Sequence, residues 1–315
     1  MEDYPRTILE LEERFATETA CWGYLVKIRW PEGFVCPRCG AAGYWMGTRG
    51  RLICRGCRFQ ASATAGTIFQ DTRKPLRMWF QAVWHVTSQK NGASAVSLQH
   101  ALGLGSYITA WTWLHKLRRA MVRPDRDRLR GTVEVDETYW GGEEKGFVGR
   151  LTDDKAIIVV AAEESGKGIG RIRLRHIPDL TQESLHGFIT DSIEPGSTVR
   201  TDGFKSYLGL TDYVHDQQLQ RRQRKGERLL PRVHRVVSLL KRWLLGTHQG
   251  AIHQQHLDYY LDEFTFRFNR RTSASRGKLF WRLLQQAMQV DPVPYKSIVG
   301  GKPGHNRWRQ VESIE

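Results

Sequence analysis

Nowhere in this 315-residue sequence does an apolar run approach the ~18–20 residues that a membrane-spanning helix demands. The N-terminal stretch MEDYPRTILELEERF is acidic and amphipathic, unlike a secretory signal or an Arg-rich transit peptide. Both absences point to a cytoplasmic protein. No long internal repeat is visible either. Cysteine is scarce and odd in number, with five residues, and a reducing cytoplasm argues against pairing them as disulfides. The last shortage is of negative charge, since 33 acidic against 48 basic side chains leave a formal charge of +15. In a chain of otherwise ordinary hydrophobic content, that balance points to a polyanionic partner. Nucleic acid is the first candidate, although ribosomal, membrane-surface and heparin-type binders share the signal. The length suits two or three domains with a substantial core.

Four of the cysteines cluster. Cys36-Pro-Arg-Cys39 and Cys54-Arg-Gly-Cys57 are C-x-x-C knuckles on either side of a short stretch rich in glycine and aromatic residues. Each knuckle lets two thiolates reach one tetrahedral ion, and the spacer is long enough for a hairpin that brings the pairs together. Zn²⁺ held this way supplies folding energy that so small a module lacks. A redox C-x-x-C is the alternative, and the paired, ribbon-type spacing speaks against it. Four thiolates leave no open position for catalysis, so the ribbon is expected to support DNA or protein contact. Cys21, beside Trp22, reads as a small buried apolar residue.

The ribbon, assigned to residues 30–70, follows an N-terminal helical extension, 1–29, with a short helix around Thr7 to Thr17. Residues 71–125 have a helical texture, and Leu76, Trp79, Phe80, Val83 and Trp84 form one apolar stripe. In SAVSLQHALGLGSYITAWTWLHKLRRAM one helix ends at Leu102, Gly103-Leu104-Gly105 turns, and Ser106 is a candidate cap. The second helix is expected to bury Trp111, Leu114, Leu117 and Met121. This is the form of a helix-turn-helix, which many helical hairpins share. Its second helix would offer Tyr107, Thr109, Thr112 and Lys116 to a DNA groove.

RPDRDRLRG, 123–131, reads as a charged linker into a domain assigned to 126–292, with a C-terminal tail at 293–315. TVEVDETYW alternates as a strand, AIIVVAAEE is a buried strand, and IGRIRLRHI alternates again. TQESLHGFITDSI opens a helix at Thr181, and STVRTDGFKSY is a short strand ending at Asp202 and Gly203. The order fits a mixed α/β or α+β domain with a central sheet.

Asp136 is placed at or near the end of the first strand and Asp202 at the end of the fourth. Carboxylates at adjacent strand ends meet a crevice and suit Mg²⁺ or Mn²⁺, although Asp before Gly is also ordinary turn chemistry. LPRVHRVVSLLKRWLLG, 230–246, supplies a third element. Pro231 is placed to start a helix and Gly246 to stop it, and Val233, Val236, Val237, Leu240 and Leu244 form its buried stripe. His234 and Lys241 share a neighbouring stripe, seven residues and roughly 10 Å apart along the axis. A solvated flank would look the same. Packed across the sheet, this helix would bring His234 to the metal as third ligand, with Lys241 on a DNA phosphate. Just upstream, Arg221, Arg222, Arg224, Lys225 and Arg228 form a basic run suited to a phosphate backbone.

VEVDETYWGG, RTDGFKSY, HRVVSLLKRWLLGTHQG and YLDEFTFRFNRR, together with CPRCG…CRGC and AWTWLHKLRRAM, resemble the successive blocks of a bacterial insertion-sequence transposase family. The resemblance covers nearly the whole chain. It implies a zinc ribbon, a helical DNA-binding region and an RNase H-like, retroviral-integrase-like catalytic domain of the acidic-triad (DDE) type. It implies cleavage of element ends by metal-assisted hydrolysis, then joining of the freed 3′-OH to target DNA. Asp136 and Asp202 match the first two acidic positions, His234 the third and Lys241 the basic position that follows. Imidazole in place of a carboxylate removes one negative charge and favours Mn²⁺ over Mg²⁺. Glu227 lies in the basic loop, and Glu263 sits on a helix whose Leu257, Tyr260, Leu261, Phe264 and Phe268 stripe reads as core. Double-stranded DNA is the implied partner, with at least a dimer engaged on two ends and the protein on the nucleoid when bound. The rival readings are a zinc-ribbon DNA-binding protein with a decayed core, and a nuclease or resolvase on the same core.

Overall fold

The computed structural model describes residues 3–123, 125–142, 155–219 and 229–300. In chain order the elements are α1 (Ile8–Arg14), α2 (Glu18–Arg29), β1 (Tyr44–Met46), β2 (Arg51–Cys54), β3 (Gln60–Ser62), α3 (Leu76–Ser88), α4 (Ala95–Leu102) and α5 (Tyr107–Ala120). There follow β4 (Thr132–Trp140), β5 (Ala156–Ser165), β6 (Gly168–Ile177), α6 (Gln182–Ser192), β7 (Thr198–Thr201), β8 (Val214–Gln217), α7 (Pro231–His248), α8 (Leu257–Asn269), α9 (Arg276–Ala287) and α10 (Tyr295–Val299). The chain divides into two compact units, Met1–Pro124 with Ser273–Glu315, and Asp125–Thr272. The second unit thus closes at Thr272, short of the 292 assigned from sequence. No helix among the described residues is long and apolar enough to cross a membrane.

In the first unit, Thr7 and Thr17 each start a helix, accepting the backbone N–H of Glu10 at 3.1 Å and of Ala20 at 3.2 Å. The one helix expected around Thr7–Thr17 is therefore α1, and Thr17 caps α2 instead. β1, β2 and β3 form an antiparallel three-stranded ribbon. The apolar stripe of α3 is buried as its spacing demands, with Trp79 stacked on Trp113 of α5 at 3.8 Å between ring centroids. Phe280 of α9 packs against Phe80 and Trp84 at 5.7 and 5.9 Å. That contact is why 273–299 returns to this unit. α4 ends on Gly103 in the left-handed region, at φ +59, and Leu104 is buried in the turn. Two details differ from expectation. The side chain of Ser106 makes no cap bond, and Trp113 rather than the half-buried Trp111 fills the core position.

The second unit is built on a five-stranded sheet in the order β6-β5-β4-β7-β8. β6, β5 and β4 pair antiparallel, while β4–β7 and β7–β8 pair parallel. Counted within the sheet this is 3-2-1-4-5, a mixed sheet consistent with an RNase H-like core. β8, with the sequence VHDQ, was not legible as a strand. The supposed linker is partly anchored here, because Leu129 is fully buried and bridges Ile193 in parallel. One face of the sheet packs under α7 and α8, through Val233, Val236, Leu240 and Leu244 against Ile158 and Val160. Each such buried side chain contributes roughly 1.5–3 kcal/mol. The other face packs under α6, through Leu185, Phe188 and Ile189 against Val133, Val135 and Val159.

Candidate active site and metal cluster

The cysteines come together first. The Sγ atoms of Cys36, Cys39, Cys54 and Cys57 all lie within 4.8 Å of one another. Cys36–Cys57 and Cys39–Cys54 are each 3.7 Å apart, and all four are free of disulfides. A tetrahedral ion with Zn–S bonds of ~2.3 Å needs sulfur–sulfur edges of about 3.8 Å. The cluster fits Zn²⁺, held by all four thiolates as a structural ion. Cys21 is separate from it, fully buried, and burial pushes its thiol up to about 12.

Asp136 stands in the middle of β4 rather than at its end. The parallel pairing of β4 with β7 covers only Thr132–Glu134, so at Asp136 the ladder toward β7 has already stopped. Asp202 directly follows β7, and its Oδ1 accepts the backbone N–H of Phe204 at 2.9 Å, fixing the turn that carries it. Tyr207 lies in the short helical turn that follows Asp202. Its buried hydroxyl donates to Glu137 Oε2 at 2.9 Å. Burial first, then the negative charges of Glu137, Asp136 and Asp202, hold its pKa well above the ordinary phenol value. This hydrogen bond ties the Asp202 loop to β4 where the strands no longer pair.

α7 brings the third group. His234 Nε2 lies 3.7 Å from Asp136 Oδ2, with the imidazole half exposed and the carboxylate mostly covered. Lys241 is half-buried two turns further along the same helix. The helix overruns its expected stop at Gly246, ending at His248 with Gln249 in the left-handed region, at φ +52.

What seats α7 is a residue that sequence reasoning missed. No side chain of α7's own N-cap accepts its first N–H groups. Instead the fully buried carboxylate of Glu134, two residues before Asp136 on the same face of β4, does so. It accepts the backbone N–H groups of Arg232 at 2.7 Å and Val233 at 3.0 Å, and the Arg232 guanidinium at 3.0 Å. Arg232 reaches on to Glu164 at 2.6 Å. The negative charge sits on the positive end of the helix dipole, and the turn it holds carries His234. In the sequence Glu134 falls with Thr132, Asp136 and Thr138 on the polar side of the alternation, so the available signal was only that it shares a face with Asp136. Tyr207 gave no such signal.

The remaining site residues scatter. On α5, Tyr107 is half exposed, while Thr109 and Thr112 are half-buried and the Thr112 hydroxyl is turned back to the Ile108 carbonyl at 2.7 Å. Lys116 is also half-buried, and burial, partly offset by Asp71, lowers its pKa. Arg221, Arg222, Arg224, Lys225 and Arg228, with Glu227, lie outside the described residues. Glu263 is buried in an ion pair with Arg267 at 2.7 Å, as its core helix implied. A cleft of about 1060 Å³ opens at the opposite end of the sheet, lined by Arg128, Arg130, Arg171, Glu163, Glu164 and Glu194. Arg171 and Glu163 pair with one another there at 2.9 Å, and acidic side chains stand among the basic ones along its wall, an unfavourable lining for a polyanion.

With this geometry in place, the resemblances to known proteins fall where the units do. Residues 128–269 match the ISXO2-like transposase domain, and residues 16–60 match the transposase zinc-ribbon domain. An uncharacterized protein in transposable element ISH50 of Halobacterium salinarum is 28% identical over 281 residues, spanning 80% of this chain and 91% of the relative. Among solved structures, a chain of the cryo-EM structure of simian T-cell lymphotropic virus intasome in complex with PP2A regulatory subunit B56 gamma aligns at 15% identity. The alignment covers 64% of this chain and 74% of that one, at a TM-score of 0.31.

Proposed function

We propose that this chain, a transposase-family protein joining a zinc ribbon to a DDE-type domain, is a metal-dependent polynucleotidyl transferase that moves an insertion sequence. The observation that carries the reading is the approach of His234 to Asp136, 3.7 Å apart, with Asp202 on the turn that follows β7, the strand paired to β4. Two carboxylates and an imidazole are a donor set for a divalent cation, with the nitrogen tilting preference toward Mn²⁺ over Mg²⁺. Bound there, one or two such ions would lower the pKa of an attacking hydroxyl and neutralise charge at phosphorus.

The residues divide the work. Asp136, Asp202 and His234 hold the cations, and Lys241 binds a phosphate beside the scissile bond. In the first reaction a water oxygen bonds to phosphorus as the phosphorus–3′-oxygen bond breaks, freeing a 3′-OH at the element end. In the second that 3′-OH attacks a target phosphodiester and displaces its 3′-oxygen. Tyr107, Thr109, Thr112 and Lys116 on α5, and the basic run from Arg221 to Arg228, are assigned to DNA contact. Two ends need two active sites, so the engaged enzyme is at least a dimer. One observation favours a second reading, a non-cutting DNA-binding protein: a half-exposed imidazole stands where a third carboxylate would complete the triad.

Asp136→Asn tests the proposal on duplexes carrying the gene's own flanking sequence. Cleavage is expected to vanish while end binding persists. Loss of binding along with cleavage would make Asp136 a structural residue and remove the reading.

A further inference from the structure

The two zinc knuckles share the C-x-x-C spacing and differ in the residue that closes each turn. Gly40 follows Cys36-Pro-Arg-Cys39, whereas Arg58 follows Cys54-Arg-Gly-Cys57. Both residues close the same turn, the N–H of Gly40 donating to the Cys36 carbonyl at 2.9 Å and that of Arg58 to the Cys54 carbonyl at 3.1 Å. Both sit in the left-handed region, at φ +71 and +62. Glycine enters that region freely, while a side chain with a Cβ is strained there. A strained residue kept in place invites the question of what its side chain does.

Its guanidinium lies over Trp45 of β1, 4.9 Å from the ring centroid, and Arg55 approaches the same ring at 5.8 Å. Trp45 is 42% exposed, a large apolar ring left at the surface of a very small module. A guanidinium stacked on an indole keeps its N–H edge free for a phosphate. No carboxylate pairs with Arg55 or Arg58 among the described residues. From Gly33 through Gln70 the chain has five arginines and no acidic residue. Zinc with four thiolates carries only two negative charges, so the loaded module stays cationic.

We propose that Arg55, Trp45 and Arg58 form a clamp that seats the ribbon on the sugar–phosphate backbone of duplex DNA. The guanidiniums take phosphates, and the indole packs on deoxyribose between them. The clamp rests on the reading of DNA as partner and involves none of the residues assigned to cleavage.

The test measures affinity of the full zinc-loaded chain for a fluorescently labelled mixed-sequence duplex across a salt series, with no Mg²⁺ or Mn²⁺ added. No cleavage is read, so the outcome stands apart from that of the catalytic assignment. Arg58→Gly should weaken binding about eightfold near 0.1 M salt and reduce the log–log salt slope by about 0.9, one phosphate's worth. Its zinc content should be unchanged and its melting temperature no lower, because glycine relieves the turn. Arg55→Ala should change the slope likewise, and Trp45→Ala should weaken binding with the slope intact. Wild-type affinity and slope in both arginine variants would overturn the clamp. So would an Arg58→Gly chain that loses melting temperature together with affinity, because Arg58 would then be structural.

Discussion

Glu134→Ala is the perturbation with the sharpest structural consequence. The carboxylate is fully buried and takes three donors, the N–H groups of Arg232 and Val233 and the Arg232 guanidinium, at 2.7, 3.0 and 3.0 Å. Removing it strands two helix N–H groups away from water and deprives a largely covered guanidinium of one of its two carboxylates. Loss of one partner of such a buried pair costs about 3–5 kcal/mol. Glu134→Gln keeps one accepting oxygen and places an amide N–H₂ against donors, for about 1–3 kcal/mol. Both figures are to be read from urea unfolding of the chain. The catalytic effect should exceed the effect on binding, because the first turn of α7 carries His234. A displacement of about 1 Å at a reacting centre costs on the order of 10²-fold in rate. Glu134→Gln should therefore cut cleavage steeply at temperatures where it remains folded, with duplex affinity near wild type. A variant that unfolds like wild type and cuts at the wild-type rate would refute the seating of α7 by Glu134.

Two further perturbations probe separate parts of the chain. Cys36→Ser should lower zinc content and destabilise the ribbon; a full zinc complement by atomic absorption would remove the four-cysteine assignment. Glu163 responds to acid: burial would raise its carboxyl, but hydrogen bonds from Arg171 and the Arg130 N–H outweigh it and hold it at about 2, against 4.5 ordinarily. A depressed carboxylate contributes stability that is present above 4.5 and lost as pH falls toward 2. Glu163→Gln should flatten that acid limb of the stability–pH profile, and an unchanged limb would contradict the assignment.

Much of this was legible in the sequence because single elements announce themselves. The alternation of TVEVDETYW gives β4, and the three- and four-residue spacing of Val233, Val236, Leu240 and Leu244 gives the buried face of α7. The cysteine spacing gives the cluster. What stayed hidden depends on partners distant in sequence. The amphipathic stripe of α9 says that the helix packs, not that it packs on Phe80 and Trp84 of the other end of the chain. Asp136 looked like a strand-end residue because the end that matters is where β7 stops pairing, well before β4 itself stops. VHDQ has too little apolar character to read as a strand, and takes its form from the edge of β7. Glu134 looked like one more polar residue until the orphan N–H groups of α7 were found upon it.

Whether His234 completes the catalytic set is decided by one experiment. Cleavage and strand transfer on DNA bearing the gene's own flanking ends would be measured in Mg²⁺ and in Mn²⁺ for wild type, His234→Ala and His234→Glu. Wild type should cut, better in Mn²⁺, and His234→Ala should not, with DNA binding retained in both. A wild-type chain inert with either metal, but revived by His234→Glu, would contradict a catalytic role for His234 and leave a DNA-binding protein without its chemistry.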